Sequence, residues 1–237
     1  QSPFAPPVIL GFSPDSHIPN DGITNADKIT ISATAEPGAE ISLYDGGVLI
    51  GKVTAGSDRS WSLSTATLSN GSHSLSAPAY HPLYGTSATS QAFNVIVDTV
   101  TPNRPVITEL QTPSQSIAGT TNSDLITIKG TAEAGSTVTI RDGASVIGST
   151  VVDANGAFSF AAAGLSDGAH VFTVTSTDQA GNQSASSTSM SVTIDSTPPV
   201  QPVITAFGPD SGKAGDGITK ATAVTLSGKA EANTKIK

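Results

Sequence analysis

The sequence predicts an all-β protein made of tandem two-layer sandwiches, and three observations carry that prediction. Apolar residues alternate with Ser, Thr and Lys in short runs, the pattern of half-buried strands, and no segment sustains a helical period. Turn signals such as Asn70-Gly71, Asn155-Gly156, Asp167-Gly168 and Gly181-Asn182 separate the runs. The whole pattern then recurs: Val97-Asp98-Thr99-Val100-Thr101-Pro102 returns as Ile194-Asp195-Ser196-Thr197-Pro198-Pro199, a spacing of 97 residues.

The strands follow in order. In the first unit they are marked by Ile29/Ile31, Ile41/Leu43, Trp61/Leu63, Leu75/Ala77 and Phe93/Val95/Val97. In the second they are marked by Ile126/Ile128, Val138/Ile140, Phe158/Phe160, Phe172/Val174 and Met190/Val192/Ile194. At the same spacing of 97 residues Glu36 matches Glu133, Asp45-Gly46 matches Asp142-Gly143, and Trp61 matches Phe158. About seven strands per unit, in a repeat close to the ~100 residues of an immunoglobulin-like sandwich, give the architecture. The domains expected are 1–98, 99–195 and the start of a third at 196–237. In that third copy Phe207-Gly208-Pro209-Asp210-Ser211 and Gly215-Asp216-Gly217-Ile218-Thr219 repeat Phe12-Ser13-Pro14-Asp15-Ser16 and Asn20-Asp21-Gly22-Ile23-Thr24. The chain reads as a stretch of a longer array, its Pro-rich linkers favouring an end-to-end rod.

Composition narrows the function classes. Only 13% of the 237 residues are charged and the net charge is −8, with 11 Lys and Arg, so no basic footprint for nucleic acid exists. There is no cysteine, hence no disulfide, thiolate metal site or cysteine nucleophile. No apolar run has the ~18–20 residues of a membrane span. Gln1-Ser2-Pro3 does not begin a secretory signal, so export is expected to use signals outside this segment. No zinc-protease, nucleophile-elbow, P-loop or dinucleotide motif occurs. His73 and His170 occupy equivalent places, which marks them as structural. Trp61 alternates with Leu63 and matches Phe158, which places it in the core rather than on a sugar platform.

Strand reversal sets the ends of each sandwich. The loop Asp15–Asp21 and the Asp45-Gly46 turn fall at the bottom of the first unit, and the linker with Asp98 leaves from there. The Glu133 loop and the turn Asp178–Asn182 fall at the top of the second. Each junction therefore brings the bottom of one unit to the top of the next.

Gly130-Thr131-Ala132-Glu133-Ala134-Gly135-Ser136-Thr137-Val138, Asp142-Gly143, Asp153-Ala154-Asn155-Gly156, Asp167-Gly168-Ala169-His170, Thr177-Asp178-Gln179-Ala180-Gly181-Asn182 and Asp195-Ser196-Thr197-Pro198-Pro199 occur together and in sequence. This set resembles the bacterial Ig-like repeats of giant type I-secreted surface adhesins and biofilm-associated proteins. The resemblance covers the whole chain. It implies a non-enzymatic stalk or adhesive module at the bacterial surface or outside the cell, with neighbouring repeats as partners and a host or matrix receptor beyond them. It also implies Ca²⁺ at the domain junctions. Calcium takes six to eight hard oxygens, so in a chain this poor in charge the candidate ligands are few. They are Asp15, Asp21 and Asp98 below the first unit, and Glu133, Asp153 and Asp178 at the top of the second. Asp195 stands at the next junction with Asp142 or Asp167 and Glu231, and Asp210 and Asp216 repeat the first pair. Asp45, Asp142 and Asp167 are read first as turn residues.

The first unit departs from the pattern. Its turn reads Tyr80-His81-Pro82-Leu83-Tyr84-Gly85, so His81 replaces Asp178, and Pro78 replaces Thr175 inside a strand that should break there. In the second unit the loop Gln111 to Asn122 is one residue shorter and carries no acid. The aromatic turn either packs over the end of its unit or offers Tyr80 and Tyr84 as ligand contacts. The competing function is accordingly a carbohydrate- or ligand-binding accessory module of a secreted enzyme.

Overall fold

The computed structural model describes residues 4–113, 119–211, 213, 215–232 and 234–237, and among these every regular element is a β-strand. The first unit comprises β1 (Val8–Ser13), β2 (Ile23–Thr24), β3 (Thr30–Thr34), β4 (Glu40–Asp45), β5 (Val48–Thr54), β6 (Ser60–Ser64), β7 (Gly71–Ser76), β8 (Ala79–His81), β9 (Gly85–Thr86) and β10 (Phe93–Val97). One sheet runs β1-β3-β6 and the other β2-β10-β7-β4-β8-β9, with β5 also on β4. The second unit repeats this with β11 (Val106–Gln111), β12 (Thr120–Thr121), β13 (Ile126–Thr131), β14 (Thr137–Asp142), β15 (Ser145–Val151), β16 (Ala157–Ala162), β17 (Gly168–Thr177) and β18 (Met190–Ile194). Its sheets are β11-β13-β16 and β12-β18-β17-β14-β15. The third unit contributes β19 (Val203–Gly208) paired antiparallel with β20 (Thr225–Lys229). These are tandem immunoglobulin-like sandwiches.

Alternation decides which side chains fill each sandwich. Ile29, Ile31, Ile41, Leu43, Trp61, Leu75, Val95 and Val97 form the first core. Ile126, Ile128, Val138, Ile140, Phe158, Phe172, Val174, Val192 and Ile194 form the second. Along β17, Phe172 and Val174 are fully buried while Val171 faces solvent. Shifting a strand by one residue would expose the whole set, so the register is well specified.

Two features of the sheets were not visible in the pattern. The short strands β2 and β12 run parallel to β10 and β18, because the first strand of each sandwich crosses from one sheet to the other. The upper part of β17 extends past the end of β18, and serines replace the missing partner strand. Ser184 and Ser187 accept from the backbone of Ser176 and Val174 at 2.9 and 3.0 Å, and donate their own amides back at 2.8 Å. Ser87 and Ser90 do the same for Ala79 and Ala77.

Pro78 interrupts the first unit as expected. Where β17 runs unbroken for ten residues, the equivalent strand is split into β7 and β8. The register survives the break. Tyr44 pairs with Ser76 and Ile41 with Ala79, matching Arg141 with Thr173 and Val138 with Ser176.

Candidate functional site

The two complete units meet where strand reversal placed the meeting, between the β1–β2 loop and the β17–β18 turn. The loop is shaped by its own short polar side chains. Asp15 accepts the Asn20 amide, and Asp21 accepts that of Ile23 at 2.9 Å. Thr24 Oγ1 donates to the Pro14 carbonyl at 2.8 Å and accepts from the Ala26 amide at 3.1 Å. This scaffold presents Ser16, whose hydroxyl accepts the Asn25 amide at 2.8 Å and donates to the Ala180 carbonyl of the second unit at 2.6 Å.

The turn that meets it is equally self-supported. Asp178 is 5% exposed, and its carboxylate accepts both the backbone N–H and the side-chain Nδ2–H of Asn182 at 2.8 Å. The other Nδ2 hydrogen of Asn182 goes to the Asp98 carbonyl at 2.7 Å. The amide of Asn182 thus joins the second unit's turn to the linker, and both of its donors are satisfied. Between them lies Gly181 at φ 91°, where a Cβ would stand 3.0 Å from that of His17. Both the backbone conformation and the close approach require glycine there.

The linkers are held in the same manner. Asp98 caps the Val100 amide at 3.0 Å, and Asn70 accepts both the amide and the hydroxyl of Thr99 at 3.0 Å. At the second linker Asp195 caps Thr197, Glu231 caps Val200 at 3.0 Å, and Asp167 accepts from Ser196 and Thr197. The Ser196 hydroxyl, then its amide and the Thr197 hydroxyl, lower the pKa of Asp167. These acids gather along a stretch of backbone rather than around a point.

The other candidate ligands are spread out. Asp153 accepts the Asn155 and Ala157 amides within its own turn, and at Glu133 the backbone carbonyl accepts from Ser136. Asp210 and Asp216 repeat the capping by Asp15 and Asp21, accepting from Gly215 and Ile218. Among the described residues no three His, Asp or Glu side chains form a group able to hold a metal. Asp15 and Asp21 share a groove of about 390 Å³ with Asn20, and Asp15 Oδ1 is buried there without a partner.

Asp45 and Asp142 carry an interaction that turn preference concealed. Each accepts from the Nδ1 of a buried histidine at 2.6 Å, His73 and His170 respectively, while Nε2 of the same ring meets the Ser69 or Ser166 carbonyl at 2.8 Å. No ring nitrogen remains to act as a general base, so these His–Asp pairs are structural.

The aromatic turn of the first unit is partly self-packed. His81 and Tyr84 stack at 4.6 Å, and Phe4 lies 6.1 Å from Tyr84. Tyr80, opposite Thr86 and Glu40, remains 52% exposed, Leu83 70% and Tyr84 45%.

Two sandwiches with this strand order define an Ig-like class of protein, and comparison with known families refines it. Residues 3–99 and 103–196 each match the bacterial Ig-like domain, and the chain belongs to that family. It is 29% identical over 201 residues to bacillopeptidase F of Bacillus subtilis, covering 84% of this chain and 13% of that protein. Fibronectin(III)-like modules of CbhA from Clostridium thermocellum share 22% identity, with 79% of this chain and 93% of that one covered and a TM-score of 0.46. A Ca²⁺-stabilized adhesin with which an Antarctic bacterium binds ice shares 19% identity, with 81% and 49% covered and a TM-score of 0.41.

Proposed function

We propose that this chain is a non-enzymatic stalk module of a bacterial surface or secreted adhesin, in which successive sandwiches are held in fixed relation to project a binding part towards a host or matrix surface. The observation that carries the reading is the hydrogen-bonded joint of Ser16, Ala180, Asn182 and Asp98. A module that only needed to link two domains has no use for a partly buried Asp–Asn pair and a glycine closed in by its neighbour. Family membership and the adhesin-like repeat pattern support the same reading.

The chain has no cysteine, so two introduced ones report the relation of the units directly. Spin labels at Ser62→Cys and Ser159→Cys, both exposed strand positions, give the distance between units. A single narrow distribution is expected, broadening in Asn182→Ala. A broad distribution in the parent chain removes the stalk reading.

Calcium belongs to this proposal at the Asp15–Asp21 loop, where an unpartnered carboxylate oxygen and a second acid line the same groove. Two carboxylates fall short of the six to eight oxygens of a full sphere, so water would supply the remainder. Millimolar Ca²⁺, compared with EDTA and with Mg²⁺, is expected to raise the unfolding midpoint of the first unit only, by a few degrees, in proportion to site occupancy. Asp15→Asn abolishes the rise. No Ca²⁺-specific shift leaves the joint to hydrogen bonds alone.

A further inference from the structure

We infer that the outer face of the first unit's larger sheet, around Tyr80, Glu40, Lys52 and Tyr44, binds an uncharged polysaccharide. The inference does not depend on the stalk reading, because none of these residues is part of the joint between units.

Strand alternation builds the face. Ile41, Leu43 and Ala79 point into the core, so Glu40, Ser42 and Tyr44 on β4 and Tyr80 on β8 point the other way. Pairing sets them in rows. Tyr80 stands between Thr86 and Glu40, and beyond Glu40 lies Thr54 on β5. Two residues along β4, Ser42 pairs with Lys52, and two further on Tyr44 pairs with Ser76. Tyr80 and Tyr44 thus flank the Lys52–Glu40 ion pair, their backbone positions about 13 Å apart at ~3.3 Å per residue.

The repeat supplies its own control. At the spacing of 97 residues, Thr137 stands for Glu40, Ser149 for Lys52, Thr177 for Tyr80 and Arg141 for Tyr44. The second unit keeps the same pairing with these residues, so neither the fold nor the register requires the first unit's set. All three tyrosines of the chain lie in the first unit. Tyr84 belongs to the turn, where it stacks on His81 and lies beside Phe4, but Tyr80 is 52% exposed on the sheet.

The polar groups of the face are only partly used. Lys52 Nζ donates to Glu40 Oε1 at 2.7 Å, with both side chains more than half exposed. Among the described residues, the second Glu40 oxygen, the other ammonium hydrogens and the Tyr44 and Tyr80 hydroxyls have no protein partner.

That chemistry selects the ligand. A peptide strand has no edge to join here, because β4 is bonded on both sides and β8 lies between β4 and β9. A protein partner would have to bury Lys and Glu, which the cores of such interfaces exclude. The two charges cancel, so neither sign of ion is favoured. What remains is an aromatic ring with an acceptor and a donor fixed beside it. A sugar ring matches this set: its C–H face stacks on tyrosine, and its hydroxyls donate to Glu40 and accept from Lys52. A second tyrosine beyond the ion pair calls for a chain of sugars rather than a single one.

Affinity electrophoresis of the full chain tests this, in gels cast with dextran, galactomannan or hydroxyethylcellulose, and with alginate as the charged control. Retardation by at least one neutral polymer is expected. Tyr80→Thr, which installs the second unit's residue, is expected to weaken it about tenfold, the loss of one ring contact. Leu83→Ala, in the neighbouring turn, is expected to leave it unchanged. Retardation by no neutral polymer, or by alginate alone, overturns the inference. So does binding that survives Tyr80→Thr or falls equally in Leu83→Ala. Thermal unfolding confirms that each variant folds. If Tyr80→Thr unfolds the first unit, Glu40→Thr with Lys52→Ser carries the same outcomes. Absent retardation together with a narrow spin-label distribution overturns this inference and leaves the stalk reading intact.

Discussion

His73 and His170 show how much a single buried ring can dictate. Each is 7% exposed and lies between a carboxylate and a carbonyl, both of which only accept. Both ring nitrogens must therefore donate, and the folded state holds the imidazolium. Burial pushes the pKa down, but the Asp45 or Asp142 hydrogen bond and the Ser69 or Ser166 carbonyl outweigh it, and the net shift is upward. From β10 and β18 only Val95 and Val192 stand opposite these rings. A folded pKa above the unfolded value of about 6.5 gives stability that is complete below that pH and lost as pH rises through the folded value. Urea unfolding from about pH 5.5 to about pH 8.5 is expected to show both units weakening with rising pH. His170→Gln flattens the slope for the second unit and costs about 1–3 kcal/mol at the acid end. A parent slope of the opposite sign would refute the imidazolium. The histidines announced themselves as structural by matching across the repeat. Their partners did not, because Asp and His stand 28 residues apart and only the register of β4 on β7 brings them together.

Among the elements, the strands that face a core on one side were legible, since alternation is a direct consequence of one buried face. The two-residue strands β2 and β12 were not, being too short for any period, and the serine ladder beside β17 looks like loop composition until the strand it supports is in place. Pro78 lies between these cases: its lack of an N–H announced a break, but not that the register continues across it. Because Ser42 still donates to the Pro78 carbonyl at 3.1 Å, the strand is already aligned for a donor at position 78. Pro78→Thr, the residue of the second unit, is therefore expected to join β7 and β8 and to slow amide exchange across both. The restored bond contributes ~1 kcal/mol, reduced by about half through the greater freedom of the unfolded chain. Faster exchange or a shifted register in this variant would show that the split strand has its own packing reason.

For the whole molecule, the joint gives the acids at the junctions a structural task besides the metal binding expected of them. Low charge density makes any carboxylate near a linker conspicuous, yet sequence cannot tell an oxygen aimed at a cation from one aimed at a backbone amide. In this chain Asp98, Asp195, Asp167 and Glu231 are aimed at amides and hydroxyls. The arrangement also defines how the chain bears load. In each complete unit the short parallel strand near its beginning is bonded to its last strand: Ile96 and Asp98 donate to Gly22 and Thr24, and Thr193 and Asp195 to Gly119 and Thr121, at 2.8–2.9 Å. Tension between the ends of a unit shears these bonds together rather than peeling them one by one. Single-molecule extension of this chain is expected to give two force peaks, each releasing roughly 30 nm, the length of a unit at ~3.5 Å per residue less its folded span. Residues 196–237 are expected to contribute no peak, because among the described residues β19 and β20 pair only with each other. Ile96→Pro deletes the Ile96 donor in the first unit and is expected to lower that peak while leaving the other unchanged. If the force stays the same with that donor gone, the load is carried by the cores of the sandwiches, and the parallel strands serve only to close their edges.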